Sequence, residues 1–176
     1  MLSKARHYIP ADELKSLYYA IFSSHMSYGC QVWHNNNVHS EKIEKAQNKA
    51  MRIISFADYH APVEPLFKEK HIIRINDFIT LQNILFVHDC FHNKLPSCFN
   101  DYFTLVSDVH DHNTFSNEMG MLYAPEVNTT MYGLHSLSKK CVVSWNFYTR
   151  KLSSNLNNLS RAQLKTKISQ YMIDQY

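Results

Sequence analysis

Apolar residues fall along this chain with a helical period in most places. Pro10-Ala11-Asp12-Glu13 carries a proline and two acids, the residues favoured in a first helical turn. Leu14, Leu17, Tyr18, Ile21 and Phe22 then follow at i, i+3, i+4, i+7 and i+8, and His25, Tyr28 and Val32 prolong the stripe. The pattern predicts a helix over 11–33, ended by Asn35-Asn36-Asn37. Ser40 offers an N-cap for a second helix over 40–55, whose apolar stripe is Ile43, Ala46, Gln47, Ala50, Ile53 and Ile54. A loop with Pro62 and Pro65 separates it from a short helix at 65–70. Phe78, Leu81, Ile84, Leu85 and His88 share one face of a third long helix over 76–94, stopped by Leu95-Pro96. Ser97 can cap a single turn through Tyr102.

Residues 104–133 keep no sustained period, and a short strand or hairpin fits near 119–132. Two further helices are predicted over 136–152 and 160–174, the last with a Ser160/Gln163 capping box. The expected fold is therefore mainly α: an irregular bundle of about five long helices with a loop-rich, short-stranded segment near 104–133. The expected division is a helical region at 1–103, then the loop-rich segment with the C-terminal helices at 104–176. Leu17, Ile21, Ile43, Ala50, Ile54, Leu81, Leu85 and Trp145 are the expected core.

Composition supports this picture. Of 176 residues, 45% are hydrophobic and 13% aromatic, with 3 Gly and 5 Pro, too few turn residues for a sheet-rich chain. No apolar run reaches the roughly 18 residues of a membrane span. The N-terminus has no apolar stretch of secretory type. Cys30, Cys90, Cys98 and Cys141 form no C-x-x-C. A reduced, intracellular setting, cytoplasmic or nuclear and away from membranes, is the expectation.

The net charge of +3 is uneven: +3 over residues 1–74, −6 over 75–130 and +6 over 131–176. Lys42, Lys45, Lys49 and Arg52 follow one another at spacings of 3, 4 and 3, which puts all four on one helical face. Such a face is either solvated or in contact with phosphates. Lys139-Lys140, Arg150-Lys151 and the group Arg161, Lys165 and Lys167 pose the same choice.

Three stretches invite a catalytic reading and are set aside. His88-x-x-x-His92 has zinc-ligand spacing but lacks the glutamate of a metalloprotease helix, and His88 continues an apolar stripe. Asp108-Val109-His110-Asp111-His112 is rich in ligand types, as polar loops commonly are. A zinc enzyme built on His88, His92, His110 and His112 is the weakest of the readings. Phe56-Ala57-Asp58-Tyr59 looks like the aromatic-Ala-Asp-Asp hairpin of a polymerase, but Tyr59 replaces the second acid needed to hold two metal ions. No Gly-rich phosphate loop, nucleophile elbow or redox motif is present. The expectation is no catalytic residue, no metal and no cofactor in this chain.

Several strings, in order, resemble the region downstream of the palm in non-LTR retrotransposon reverse transcriptases, nearest the jockey-like group. They begin with Leu17-Tyr18-Tyr19-Ala20-Ile21-Phe22, Ser24-His25-Met26-Ser27-Tyr28-Gly29 and Trp33. Gln47-Asn48-Lys49-Ala50-Met51-Arg52-Ile53-Ile54 is similar to the family's Q-N-K-A-x-R-I-I. Pro65-Leu66-Phe67, His92-Asn93-Lys94-Leu95-Pro96, Phe99-Asn100-Asp101-Tyr102-Phe103, His112-Asn113-Thr114, Tyr132-Gly133, Ser136-Leu137-Ser138 and Trp145-Asn146 follow. The resemblance spans about residues 10–176. Phe115 stands where the family usually has Arg. Cys141-Val142 replaces its Gly-Pro, which favours an unbroken helix over 136–152, and Tyr148-Thr149 replaces its Leu-Pro. The resemblance implies the thumb and C-terminal part of an RNA-directed DNA polymerase, without endonuclease, fingers or palm. The implied partner is an RNA or DNA template–primer duplex, bound weakly and without sequence preference through Lys45, Lys49, Arg52 and Lys42, with the palm region as a second partner. The alternative is a small helical interaction protein with no role on nucleic acid.

Overall fold

The computed structural model describes residues 2–33, 37–109, 114–124, 126–129, 133 and 135–176, with backbone alone at 32, 33 and 37–39. The chain is mainly helical. Its principal helices are α1 (Ala11–Tyr18), α2 (Asn37–Ile54), α3 (Glu64–Lys70), α4 (Ile75–Phe91), α5 (Leu137–Leu152) and α6 (Arg161–Asp174). Among the described residues none is long and apolar enough to cross a membrane. The chain forms two compact units, Met1–Ile79 with Gln170–Tyr176, and Thr80–Ser169.

In the first unit, α1 starts where proline and acids predicted, with Leu14 N–H donating to the Pro10 carbonyl at 3.0 Å. The single helix expected over 11–33 is interrupted. A π turn, Tyr19–Ser23, follows α1, then one α turn, Ser24–Ser27. Tyr28 turns extended (ψ 112°) and Gly29 takes φ +59°, breaking the helix before the short turn Cys30–Trp33. The wider π turn shifts the side-chain register. Leu14 and Tyr18, ahead of that turn in α1, are buried, whereas Leu17, also ahead of it, and Ile21, within it, are half-buried although expected in the core. Ile43 is half-buried as well, at the margin of a small cluster around Cys30, Ile75 and Ile79. The larger cluster joins Leu14, Tyr18, Ala50, Met51, Ile54, Val63, Phe67 and Ile72. Helix α2 begins at Asn37, so Ser40 lies within it rather than capping it.

Gln47 is the polar residue at the centre of this unit and is 2% exposed. Its carbonyl accepts from Ile75 N–H at 2.8 Å, and its amide donates to Tyr18 Oη at 2.9 Å and to the Ile73 carbonyl at 3.0 Å. Ile75 opens α4, so its N–H has no partner within the helix. One side chain thus caps α4 and bridges α1 and α2. Burial pushes the Tyr18 phenol up to about 12, against the opposing pull of the Gln47 donor.

In the second unit, Leu81, Ile84, Leu85, Val142, Trp145, Leu156, Leu164 and Ile168 are all buried. Helix α5 is unbroken, its N-cap Ser136 accepting from Lys139 N–H. Trp145 donates its indole N–H to the Gly120 carbonyl at 3.0 Å. Asn146 pairs both ways with the Leu122 backbone at 2.8 Å, as a neighbouring strand would. Gly120 has φ +63°, and a Cβ there would lie 2.8 Å from Asn155 Oδ1. Among the described residues the expected strand is reduced to one antiparallel bridge, Leu105–Leu122. Its polar groups are met by a side chain instead of a longer ladder. The Ser160/Gln163 capping box forms as predicted, with reciprocal bonds of 3.0 and 3.3 Å.

Candidate nucleic-acid interface

Helix α2 buries Gln47, Ala50, Met51 and Ile54 and turns Lys42, Lys45 and Lys49 to solvent, with Arg52 half-buried at its last turn. Its end is fixed by backbone bonds. Phe56 N–H reaches the Ile53 carbonyl at 3.3 Å and Ala57 N–H the Arg52 carbonyl at 3.0 Å. These are the paired bonds of a Schellman stop. The left-handed residue is Phe56 (φ +53°), in a position usually taken by glycine. Arg6 places its guanidinium 4.9 Å from the Phe56 ring centre.

The reversal sends residues 57–61 back alongside the helix. Ala61 N–H closes a turn on the Asp58 carbonyl at 3.1 Å, and Arg52 Nε donates to the Ala61 carbonyl at 2.9 Å. Lys45, Ala46, Asn48, Lys49, Arg52 and Tyr59 thereby line an open pocket of about 510 Å³. Tyr59 is 74% exposed, and the His60 ring packs edge-on against it at 5.0 Å. The ammonium of Lys45 lies 3.7 Å from Glu41, both largely exposed, so the pair holds it weakly. Lys42 is exposed on the same helix but does not line the pocket.

Of the four cations singled out by spacing, three therefore share a pocket. The residue that sequence reasoning passed over is Tyr59, weighed only as the substitute for a second acid. Its signal was an aromatic residue in a polar loop one turn beyond a basic helix end. Asp58 sits in that turn, exposed, after a helix and not between two strands.

Arg161, Lys167, Lys151 and Lys140, from the other basic groups, have different surroundings. Arg161 Nε lies 3.0 Å from both carboxylate oxygens of Asp89. Lys167 donates to Ser154 Oγ, and Lys151 sits 5.7 Å from the Phe147 ring centre. Partial burial lowers the Lys140 ammonium from its ordinary value. The His88 and His92 rings stack at 3.9 Å. Nε2 of His88 is bonded to the Leu159 carbonyl at 2.9 Å, and Nδ1 of His92 to the His88 carbonyl at 2.8 Å. One nitrogen of each ring is thus committed to backbone. His110 and His112, with Asp111, lie outside the described residues. Among the described residues no three His, Cys, Asp or Glu side chains converge as a metal site. All four cysteines are free, and burial pushes the Cys90 thiol up to about 11 and raises Cys141 as well. Such thiols are poor nucleophiles.

The arrangement brings three cations and an aromatic ring together at the end of one helix. Compared with known proteins, the chain matches no family model, no curated protein and no solved structure.

Proposed function

We propose that this chain is a non-catalytic nucleic-acid-contacting piece, corresponding to the thumb and C-terminal region of a non-LTR retrotransposon reverse transcriptase and acting inside the cell. The observation that supports contact with nucleic acid is the convergence of Lys45, Lys49 and Arg52 on one open pocket beside Tyr59. The origin rests on the ordered strings from Leu17 to Asn146. Cations on one face attract phosphates without reading sequence. Three such contacts give weak binding at physiological salt, so a palm region would have to supply most of the affinity.

The test is salt-dependent binding of the whole chain to a primed RNA–DNA duplex. Each phosphate contact contributes roughly −0.7 to −0.9 to the slope of log K against log salt. The triple change Lys45→Ala, Lys49→Ala, Arg52→Ala should flatten that slope by about two to three units with an unchanged circular dichroism spectrum. Equal slopes for mutant and parent would leave a solvated face and the interaction-protein reading. Primer extension with Mg²⁺ and nucleotides should give no product, since Asp58 has no second acid beside it.

A further inference from the structure

Resting on that reading, we infer that the pocket at the end of α2 takes an unpaired strand rather than a closed duplex. One base of that strand stacks on Tyr59 while its flanking phosphates meet Lys45, Lys49 and Arg52. The cations alone cannot distinguish the two forms, because both present phosphates. The ring can. Tyr59, 74% exposed as a residue, carries its ring on the wall of the same pocket. Bases inside a duplex are stacked on one another and have no free face to offer; bases of a single strand do, and any base can stack.

The loop that carries the ring is also held in place. It is pinned at one end by the Phe56 reversal and at the other by the Arg52–Ala61 bond, and the His60 edge meets the ring. Arg52 takes part twice: it carries charge and fixes the loop that carries the ring. It lies seven residues after Lys45, roughly 10 Å along the helix axis, so the cations extend as a row leading to the ring. Asp58 lies in the same loop, and Glu41 and Glu44 lie on the same helix. Glu41 already leans on Lys45, and Asp58 is exposed. Neither closes the pocket.

The experiment uses the full chain and three fluorescein-labelled probes of equal length: an oligothymidylate, an abasic strand and a blunt duplex. Binding is followed by anisotropy across a salt series. The oligothymidylate should bind roughly tenfold more tightly than the abasic strand, which has the same phosphates without bases. Tyr59→Ala should abolish that difference and leave the salt slope unchanged, while Tyr59→Phe should retain it. Because Tyr59 is exposed, neither change should alter the circular dichroism spectrum. Three results would overturn the inference: equal binding of the two strands by the parent, an equal loss on all three probes in Tyr59→Ala, or preference for the duplex. Each can occur with the parent's salt slope intact, in which case the phosphate-contact reading survives. If the parent binds none of the probes, both fall.

Discussion

Replacing Gln47 with leucine should unfold the first unit far more readily than a surface position on the same helix would. The side chain is 2% exposed and makes three hydrogen bonds of 2.8 to 3.0 Å. Leucine keeps most of the volume but restores none of the bonds. Ile75 N–H loses its acceptor at the start of α4, and Tyr18 Oη loses its donor in a site where that residue is 3% exposed. Net bonds are worth about 0.5–1.5 kcal/mol each, and a buried donor left unpaired costs about 1–3 kcal/mol. Three lost bonds and one unpaired donor sum to about 2.5–7.5 kcal/mol, a large share of the roughly 5–15 kcal/mol that holds a domain folded. Two assays report on it. Urea unfolding gives the total, and amide exchange at Ile75 reads the lost cap directly. Without the Gln47 donor, the Tyr18 phenol should titrate higher still. A double-mutant cycle with Tyr18→Phe should show a coupling of about 0.5–1.5 kcal/mol. A total loss below about 1 kcal/mol with Ile75 still protected would refute the bridge.

In the second unit, Leu81→Ala should cost about 2–5 kcal/mol, since Leu81 is 1% exposed; a urea midpoint that hardly moves would show that the site repacks or opens to water. His71 ends α3 at φ +50° with bonds to the Lys68 and Phe67 carbonyls, so His71→Gly should stabilise by about 0.5–1 kcal/mol, read as a higher melting temperature. Alkali should weaken the first unit. Tyr18 rises from 10.0 to about 12, and burial followed by the Asp77 bond raises Tyr176 as well. A folded value above the unfolded one means that this stabilisation is whole below the unfolded value and disappears as pH rises through the folded one, about 2–3 kcal/mol for Tyr18 alone. Thermal melts between neutral pH and about 12 should show the loss, and Tyr18→Phe should reduce it.

The parts legible in the sequence were those set by local pattern. Helices α4 to α6 follow from apolar period and end signals and α2 from its period alone, since Ser40 lies inside it, and the Ser160/Gln163 box forms as written. The π turn after Tyr18 was not legible, because one residue added to a turn leaves the stripe intact by eye while shifting Ile21 and the residues after it. Among the described residues the strand expected near 119–132 is reduced to the Leu105–Leu122 bridge, where Asn146 meets the Leu122 backbone in place of a longer ladder. The basic face was legible from the spacings of Lys42, Lys45, Lys49 and Arg52. The place of Tyr59 was not, because it depends on a left-handed turn at Phe56. With only 3 Gly in the chain, that turn and those at His71, Asn93 and Ser153 carry no glycine to announce them.

Core and surface in α2 depend on each other through one register. Gln47 sits between Lys45 and Lys49 in sequence, and its three bonds fix how the helix is rotated over Tyr18 and Ile75. That rotation decides which side chains reach solvent. A helix turned by one residue, about 100°, would swing Lys45 and Lys49 away from the loop and leave Tyr59 facing apolar groups. Purely apolar packing tolerates such slippage better than directional hydrogen bonds do, since burial is non-directional. The buried glutamine therefore has a consequence beyond stability: it orients the cationic row toward the ring. Gln47→Leu at low temperature, where the chain is still folded, should lose selectivity for the oligothymidylate over the abasic strand while keeping its salt slope, because the charges remain and only their aim changes.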